Sequence, residues 1–176
     1  MTPPNRDLVI ATPRLKLRPT QLSDVQRFVE IQSNWNVTKM LRMAAWPVVE
    51  AEMAAWLATH AQEWADGTGY RFAVTLDQAV IGMCDVDEIT DGCGDLGYWF
   101  DEVFWGLGYA KEAASTVLRF GREQLGLTQF KSGHIAENAA SGNILLHLGF
   151  RELPLETRYA KPRGEDVPYR PYVLDN

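Results

Sequence analysis

An α+β domain built around a mixed sheet is the fold class that the sequence predicts. Three observations carry it: alternating strands in a hairpin after residue 70, one strongly amphipathic helix after residue 109, and an overall order β-α-α-β-β-β-α-β-α-β-β without internal repeats. Leu15, Leu17 and Pro19 alternate with Arg14, Lys16 and Arg18, which reads as a first strand preceded by a Pro- and Thr-rich tail, residues 1–11. Ser23-Asp24 opens a helix carrying Val25, Phe28, Val29 and Ile31, and Asn34-Trp35-Asn36 ends it. Between Pro47 and Trp64, Val49, Met53, Trp56, Leu57 and Ala61 recur at helical spacing until Asp66-Gly67-Thr68-Gly69. Tyr70, Phe72, Val74 and Leu76 then alternate, Asp77-Gln78 turns the chain, and residues 80–86 form the partner strand. After the Gly-rich stretch 90–94 comes a short strand, Leu96 to Phe100. Ala110, Ala113, Ala114, Val117, Leu118 and Gly121 keep an i, i+3, i+4, i+7 pattern, the strongest helix in the chain, ending at Gly126. Phe130 to Ala136 reads as a strand, Ala139 to Leu148 as a helix closed by Gly149, and 155–160 pairs with 167–174 across Arg163-Gly164.

Length and charge bound the function. With 176 residues and 46% hydrophobic content, the chain can bury a core in one domain, residues 12–176, without disulfides or a structural metal. The formal net charge of −6 and the lack of a long basic run argue against a nucleic-acid partner and suit a cationic substrate. Cys84 and Cys93, nine positions apart, fit neither a metal site nor a disulfide framework. The N-terminal residues lack a signal-peptide core and no apolar run approaches ~20 residues, so the expectation is a cytoplasmic protein with no membrane partner.

Chemistry concentrates in Trp105-Gly106-Leu107-Gly108-Tyr109-Ala110, between a strand and the best helix. Glycines there let the backbone turn and approach a ligand, and the helix start offers unpaired N–H groups to an anion. A tight turn needing two glycines for geometry alone accounts for the same residues. Lys111 stands where a dinucleotide fingerprint needs its third Gly, and no P-loop pattern occurs.

The wider pattern is more specific. Leu96-Gly97-Tyr98-Trp99-Phe100, residues 105–113, Glu137-Asn138-Ala139-Ala140-Ser141 and Leu148-Gly149-Phe150-Arg151-Glu152 resemble, in order and spacing, the GNAT superfamily of N-acetyltransferases. They look most like its branch of ribosomal-protein N-terminal acetyltransferases. The resemblance covers residues 12–174 and implies a strongly twisted mixed sheet flanked by helices, with acetyl-coenzyme A as donor. It places the pyrophosphate loop on Trp105, Gly106, Leu107, Gly108, Tyr109, Ala110 and Lys111, with Trp105 where Gln or Arg is usual. It implies that pantetheine runs beside Tyr98, Trp99 and Phe100, where two parallel strands splay, and that Asn138 and Ser141 contact the cofactor. Helix capping is the competing role for Asn138.

Acetyl transfer needs an uncharged amine, donors for the developing oxyanion and a way to release the thiolate. An α-amino group, with a pKa of ~7.7–8.0, gives up its proton at far lower cost than a lysine at ~10.4. Asp95 stands where the resemblance usually places Glu and is the expected base, provided burial raises its pKa; a cap beside Gly94 is the other use for it. The oxyanion donor is expected to be a main-chain N–H at Trp99 or Phe100. Leu145 occupies the position where many relatives carry the Tyr that protonates the thiolate. Its role passes to Ser141, His134 or water, or the thiolate leaves unprotonated. A hydrogen-bonded core residue is the main reading of His134, and His60 and His147 are read as solvated. The acceptor is expected to be a protein N-terminus or a small-molecule amine. A non-catalytic acetyl-CoA sensor is the alternative, and residues 169–174 could form part of a homodimer edge.

Overall fold

β-Branched and aromatic residues at alternate positions give this chain its sheet, and the computed structural model of the protein describes residues 3–175. A nine-stranded sheet has the order β1-β2-β3-β4-β5-β6-β9-β7, with β8 also paired to β9. The strands are β1 (Ile10–Ala11), β2 (Lys16–Pro19), β3 (Tyr70–Leu76), β4 (Ala79–Thr90), β5 (Cys93–Phe100), β6 (Gln129–Ile135), β7 (Arg151–Glu152), β8 (Glu156–Ala160) and β9 (Glu165–Asp175). The helices are α1 (Val25–Gln32), α2 (Trp35–Thr38), α3 (Glu50–Asp66), α4 (Tyr109–Leu125) and α5 (Ala139–His147). Among the described residues only β5 and β6 run parallel, and α4 makes their crossover.

Side-chain alternation sorts the core onto two faces. Phe72, Val74, Cys84, Val86, Leu96 and Phe100 pack with Val117, Leu118 and Phe120 of α4 and with Leu145 of α5. Ala73, Met83 and Trp99 point the other way, onto Phe28 and Ile31 of α1 and Met53 and Leu57 of α3. The period of two in the strands meets the 3.6 period of the helices on each side.

Four expectations need correction. β5 begins at Cys93 rather than Leu96, because Asp91 and Gly92 turn the chain with φ of 50° and 76°, and the Gly-rich stretch becomes a tight hairpin. Residues of the expected tail are tied down: Ile10 and Ala11 pair with Leu17 and Lys16, and the Pro4 carbonyl accepts Trp64 Nε1 at 2.6 Å. Most of the 169–174 stretch of β9 is not the free edge expected: β6 takes one side throughout, and on the other β8 pairs with Tyr169 and β7 with Tyr172 and Val173.

The fourth concerns His60, which is 2% exposed rather than solvated. Met53, Leu57, His60 and Trp64 make one buried stripe of α3, and the ring sits edge-on to Trp56 at 4.5 Å with Nδ1 2.7 Å from Thr20 Oγ1. Burial, helped by the Arg71 charge, pushes its pKa from 6.5 down to about 4. Between those values the unfolded chain binds the extra proton. Stability is therefore lost as pH falls from about 6.5 toward 4, by up to about 3 kcal/mol. Urea titrations over this range should show a shallower loss in His60→Gln than in wild type; parallel curves would refute the assignment.

Candidate active site

The parallel pair opens after three rungs. Cys93, Gly94 and Asp95 pair with Gln129, Phe130 and Lys131, and pairing of β5 with β6 ends there. Ser132 fills the fork, its Oγ donating to the Leu96 carbonyl at 2.8 Å. Farther out the Phe100 carbonyl accepts Trp105 Nε1 at 2.9 Å. On the opposite edge the Asp101 N–H donates to Ile81 O at 2.9 Å. Alternation along β5 therefore turns the main-chain groups of Leu96, Tyr98 and Phe100 to the gap and those of Gly97 and Trp99 to β4. This corrects the reading of Trp99 as an oxyanion donor: its N–H faces β4, its side chain is 9% exposed, and the ring packs edge-on to Phe28 at 4.8 Å. Phe100 is the one of the two expected donors that faces the gap.

At the outer end of the gap lies the glycine loop. Gly106 and Gly108 have φ of 74° and 82°, a region open to glycine at little cost. Gly108 is the N-cap of α4 and supplies no side-chain cap, so the first N–H groups of a 17-residue helix remain available to an anion. The Trp105 ring borders the cleft, but its N–H is spent on Phe100 and cannot replace the usual Gln or Arg. Tyr109, Ala110 and Lys111 complete the loop's border; Leu107 is turned outward and 52% exposed. These elements share one cleft of about 1030 Å³.

Its inner wall is α5. Asn138 caps that helix, its Oδ1 accepting the Ser141 N–H at 3.3 Å, so the capping role expected as the alternative is present. Its side-chain NH₂ is not used by the cap. Ser141 Oγ lies 2.9 Å from the Tyr98 hydroxyl, a tie between β5 and α5 across the gap. Burial raises the pKa of Tyr98, so the phenol keeps its proton. Leu145, where the resemblance implies a Tyr, is fully buried in the core.

Asp95 stands on the last rung before the fork, opposite Asp87 on β4 and Lys131 on β6. Burial first, then the charges of Asp87 and Glu88, raise its pKa from 3.8 to about 6; Arg158 and Lys131 act against them. A carboxylate poised near 6 beside an open cleft can accept a proton at neutral pH, unlike an ordinary Asp.

Comparison with known proteins agrees with this geometry. The profile of the acetyltransferase (GNAT) domain matches residues 14–151. The chain belongs to the GNAT acetyltransferase family. One relative, described as the uncharacterized N-acetyltransferase p20 of Bacillus licheniformis, is 27% identical over 158 residues, 87% of this chain and 88% of that protein. A solved structure described as a ribosomal-protein-serine acetyltransferase of Vibrio cholerae superposes with a TM-score of 0.81 at 25% identity, covering 100% of both chains. RimJ of Mycobacterium smegmatis, solved with a CoA disulfide, gives 0.83 at 20% identity over 92% of this chain and 81% of that one, a likeness of fold. Acetyl-CoA is the acetyl donor of this GNAT family. The cradle fits it: open φ-positive glycines, uncapped helix N–H groups and a strand edge beyond the last β5–β6 rung occur in the order that a diphosphate and its amide-bearing arm require.

The wall of the cleft built by β3 and β4 holds charged residues that belong to no sequence motif. Arg71 meets Glu63, Asp85 and Asp87 at 2.8, 2.6 and 2.6 Å, and Trp56 stacks on its guanidinium at 5.4 Å. One cation faces three carboxylates, and burial pushes Asp85 up to about 7. With Glu88 and Asp95 the wall carries an acidic surplus, while Met40, Met43 and Val48 supply an apolar border. The signal was present in the alternation, because Asp85 and Asp87 share the β4 face with Met83. Arg163 of the β8–β9 hairpin holds the 39–49 segment over the cleft through the Lys39 carbonyl at 2.8 Å. His134 is a satisfied core residue, with Nδ1 2.8 Å from the Ile135 carbonyl and Nε2 3.3 Å from the Tyr172 hydroxyl. Among the described residues no helix is long and apolar enough to cross a membrane.

Proposed function

We propose that this acetyltransferase moves the acetyl group from acetyl-CoA to a primary amine by direct attack in a ternary complex, within one catalytic unit spanning residues 12–176. The observation that carries the reading is the position of Asp95, a carboxylate with its pKa near 6 at the closed end of the gap whose outer end is the glycine loop. Acetyl-CoA supplies an activated thioester. The N–H groups of residues 106–111 take its diphosphate, the main chain of Tyr98 pairs with the pantetheine arm, and the Asn138 amide holds the same arm. Asp95 removes the proton of the incoming amine, directly or through water, and the Phe100 N–H meets the developing oxyanion. Ser141 Oγ, fixed by Tyr98, donates a hydrogen bond to the departing sulfur in place of the absent Tyr.

The acidic wall favours an acceptor that arrives as a cation, and Asp95 then has to deprotonate it. An α-amino group asks least of a base with this pKa, which suits a protein N-terminus or a small-molecule amine of similar basicity. The ribosomal-protein neighbours support the first class. Incubation with labelled acetyl-CoA and matched sets of N-terminal peptides and small amines, read by mass spectrometry, tests the proposal. Label on an amine nitrogen is expected. CoA binding without label on any amine would overturn the catalytic reading.

A further inference from the structure

The Leu107 carbonyl of the glycine loop is held from outside the loop. Leu107 lies between Gly106 and Gly108, and a side chain added at Gly106 would meet nothing within 4 Å. The Leu107–Gly108 peptide ends on one glycine and a second glycine precedes Leu107, so the backbone on both sides of Leu107 turns at little cost and a contact from outside fixes it. Arg14, 93 positions earlier and just before β2, does so. Its Nη1 donates to the Leu107 carbonyl at 2.8 Å. Its Nε pairs with Glu112 Oε2 at 2.6 Å, and the guanidinium lies 4.4 Å from the centre of the Tyr109 ring. Glu112 is itself held, accepting the Thr12 hydroxyl at 2.5 Å and the Arg14 N–H at 3.0 Å. The turn joining β1 and β2 thus grips the first turn of α4 and the loop before it.

The direction of that grip matters. A trans peptide is planar, with its C=O and N–H pointing opposite ways. Gly106 and Gly108 border the cleft, whereas Arg14 does not. Holding the Leu107 carbonyl on the outer side therefore aims the Gly108 N–H inward. We propose that Arg14 is a positioning residue for cofactor binding: through the Leu107 carbonyl it presents the Gly108 N–H to the diphosphate of acetyl-CoA, without touching the ligand itself. This rests on the reading of the loop as the diphosphate site.

Calorimetry with CoA and ¹⁵N-labelled NMR of the Gly108 amide test it together. Arg14→Ala should weaken CoA binding about fivefold to tenfold, the worth of one hydrogen bond, and should shift the Gly108 amide resonance before ligand is added. Arg14→Lys keeps the charge but loses the fork that joins Leu107 to Glu112, and should recover little of the affinity. Arg14→Gln serves as the second variant if alanine compromises folding. Full recovery by lysine would replace positioning with simple attraction and overturn the proposal, as would Arg14→Ala affinity within twofold of wild type with an unmoved Gly108 amide. Failure of the wild-type protein to bind CoA would instead overturn the reading of the loop, and the proposal with it.

Discussion

Asp95→Asn is expected to lower kcat about 100-fold while leaving the affinity for CoA within a factor of two, the effect of removing a general base from a site that still assembles. In the wild-type enzyme kcat/KM should rise with pH through about 6, because Asp95 is competent only when ionised and burial beside Asp87 and Glu88 holds its pKa there. The variant should lack that inflection and keep only the rise due to the amine. A stability measurement supplies a second sign. The folded pKa lies above the ordinary 3.8, so the folded state carries a cost that builds as pH rises from about 3.8 and is complete above about 6. Asp95→Asn removes it and should be more stable than wild type at pH 7, by on the order of 1 kcal/mol after allowance for the partial exposure of the site. Unchanged kcat, or a loss confined to CoA binding, would rule out Asp95 as the base.

Gly108→Glu should abolish useful CoA binding, with a loss of more than about 100-fold by calorimetry. Two costs combine. The residue sits at φ 82°, where an L side chain is strained by roughly 1–2 kcal/mol. Its carboxylate would also neutralise or repel what the loop collects, since the new Cβ lies 3.3 Å from Arg14 Nη2 and the helix start behind it binds anions. Gly106→Ala separates the two, because it has a similar φ of 74° but open space around it and no new charge. Its loss should be near tenfold, the backbone share alone. Equal losses in both variants would show that strain and not charge governs the loop, and wild-type affinity in Gly108→Glu would show that the loop does not bind the diphosphate.

Features set by local pattern were legible in the sequence. The β3–β4 hairpin, the apolar stripe of α4, the glycines before it and the Asn138 cap each follow from residues close together in the chain. Features set by distant partners were not. The two-residue strands β1 and β7 exist only because β2 and β9 offer edges to them. His60 looked like a surface residue of α3 until Thr20, 40 positions away, supplied its hydrogen bond. Trp99 and Phe100 were equivalent as donors because one sequence cannot show which neighbour takes which side of β5; the answer came from Ser132, Trp105 and Ile81. The acidic wall was half visible. Alternation puts Asp85 and Asp87 on one face, but only the register of β3 brings Arg71 between them. Asp95 was legible as a candidate because of the resemblance, whereas the burial that tunes it required the fold.

The fork between β5 and β6 has a mechanical consequence. Two side-chain struts brace it past the last ladder rung, Ser132 of β6 to Leu96 at the closed end and Tyr98 to Ser141 of α5 farther out. A slot braced at both points is already open before any ligand arrives, so neither strand has to be pried from a neighbour. On the proposed placement of acetyl-CoA, the ordering entropy of association then falls on the flexible pantetheine chain and hardly at all on the protein.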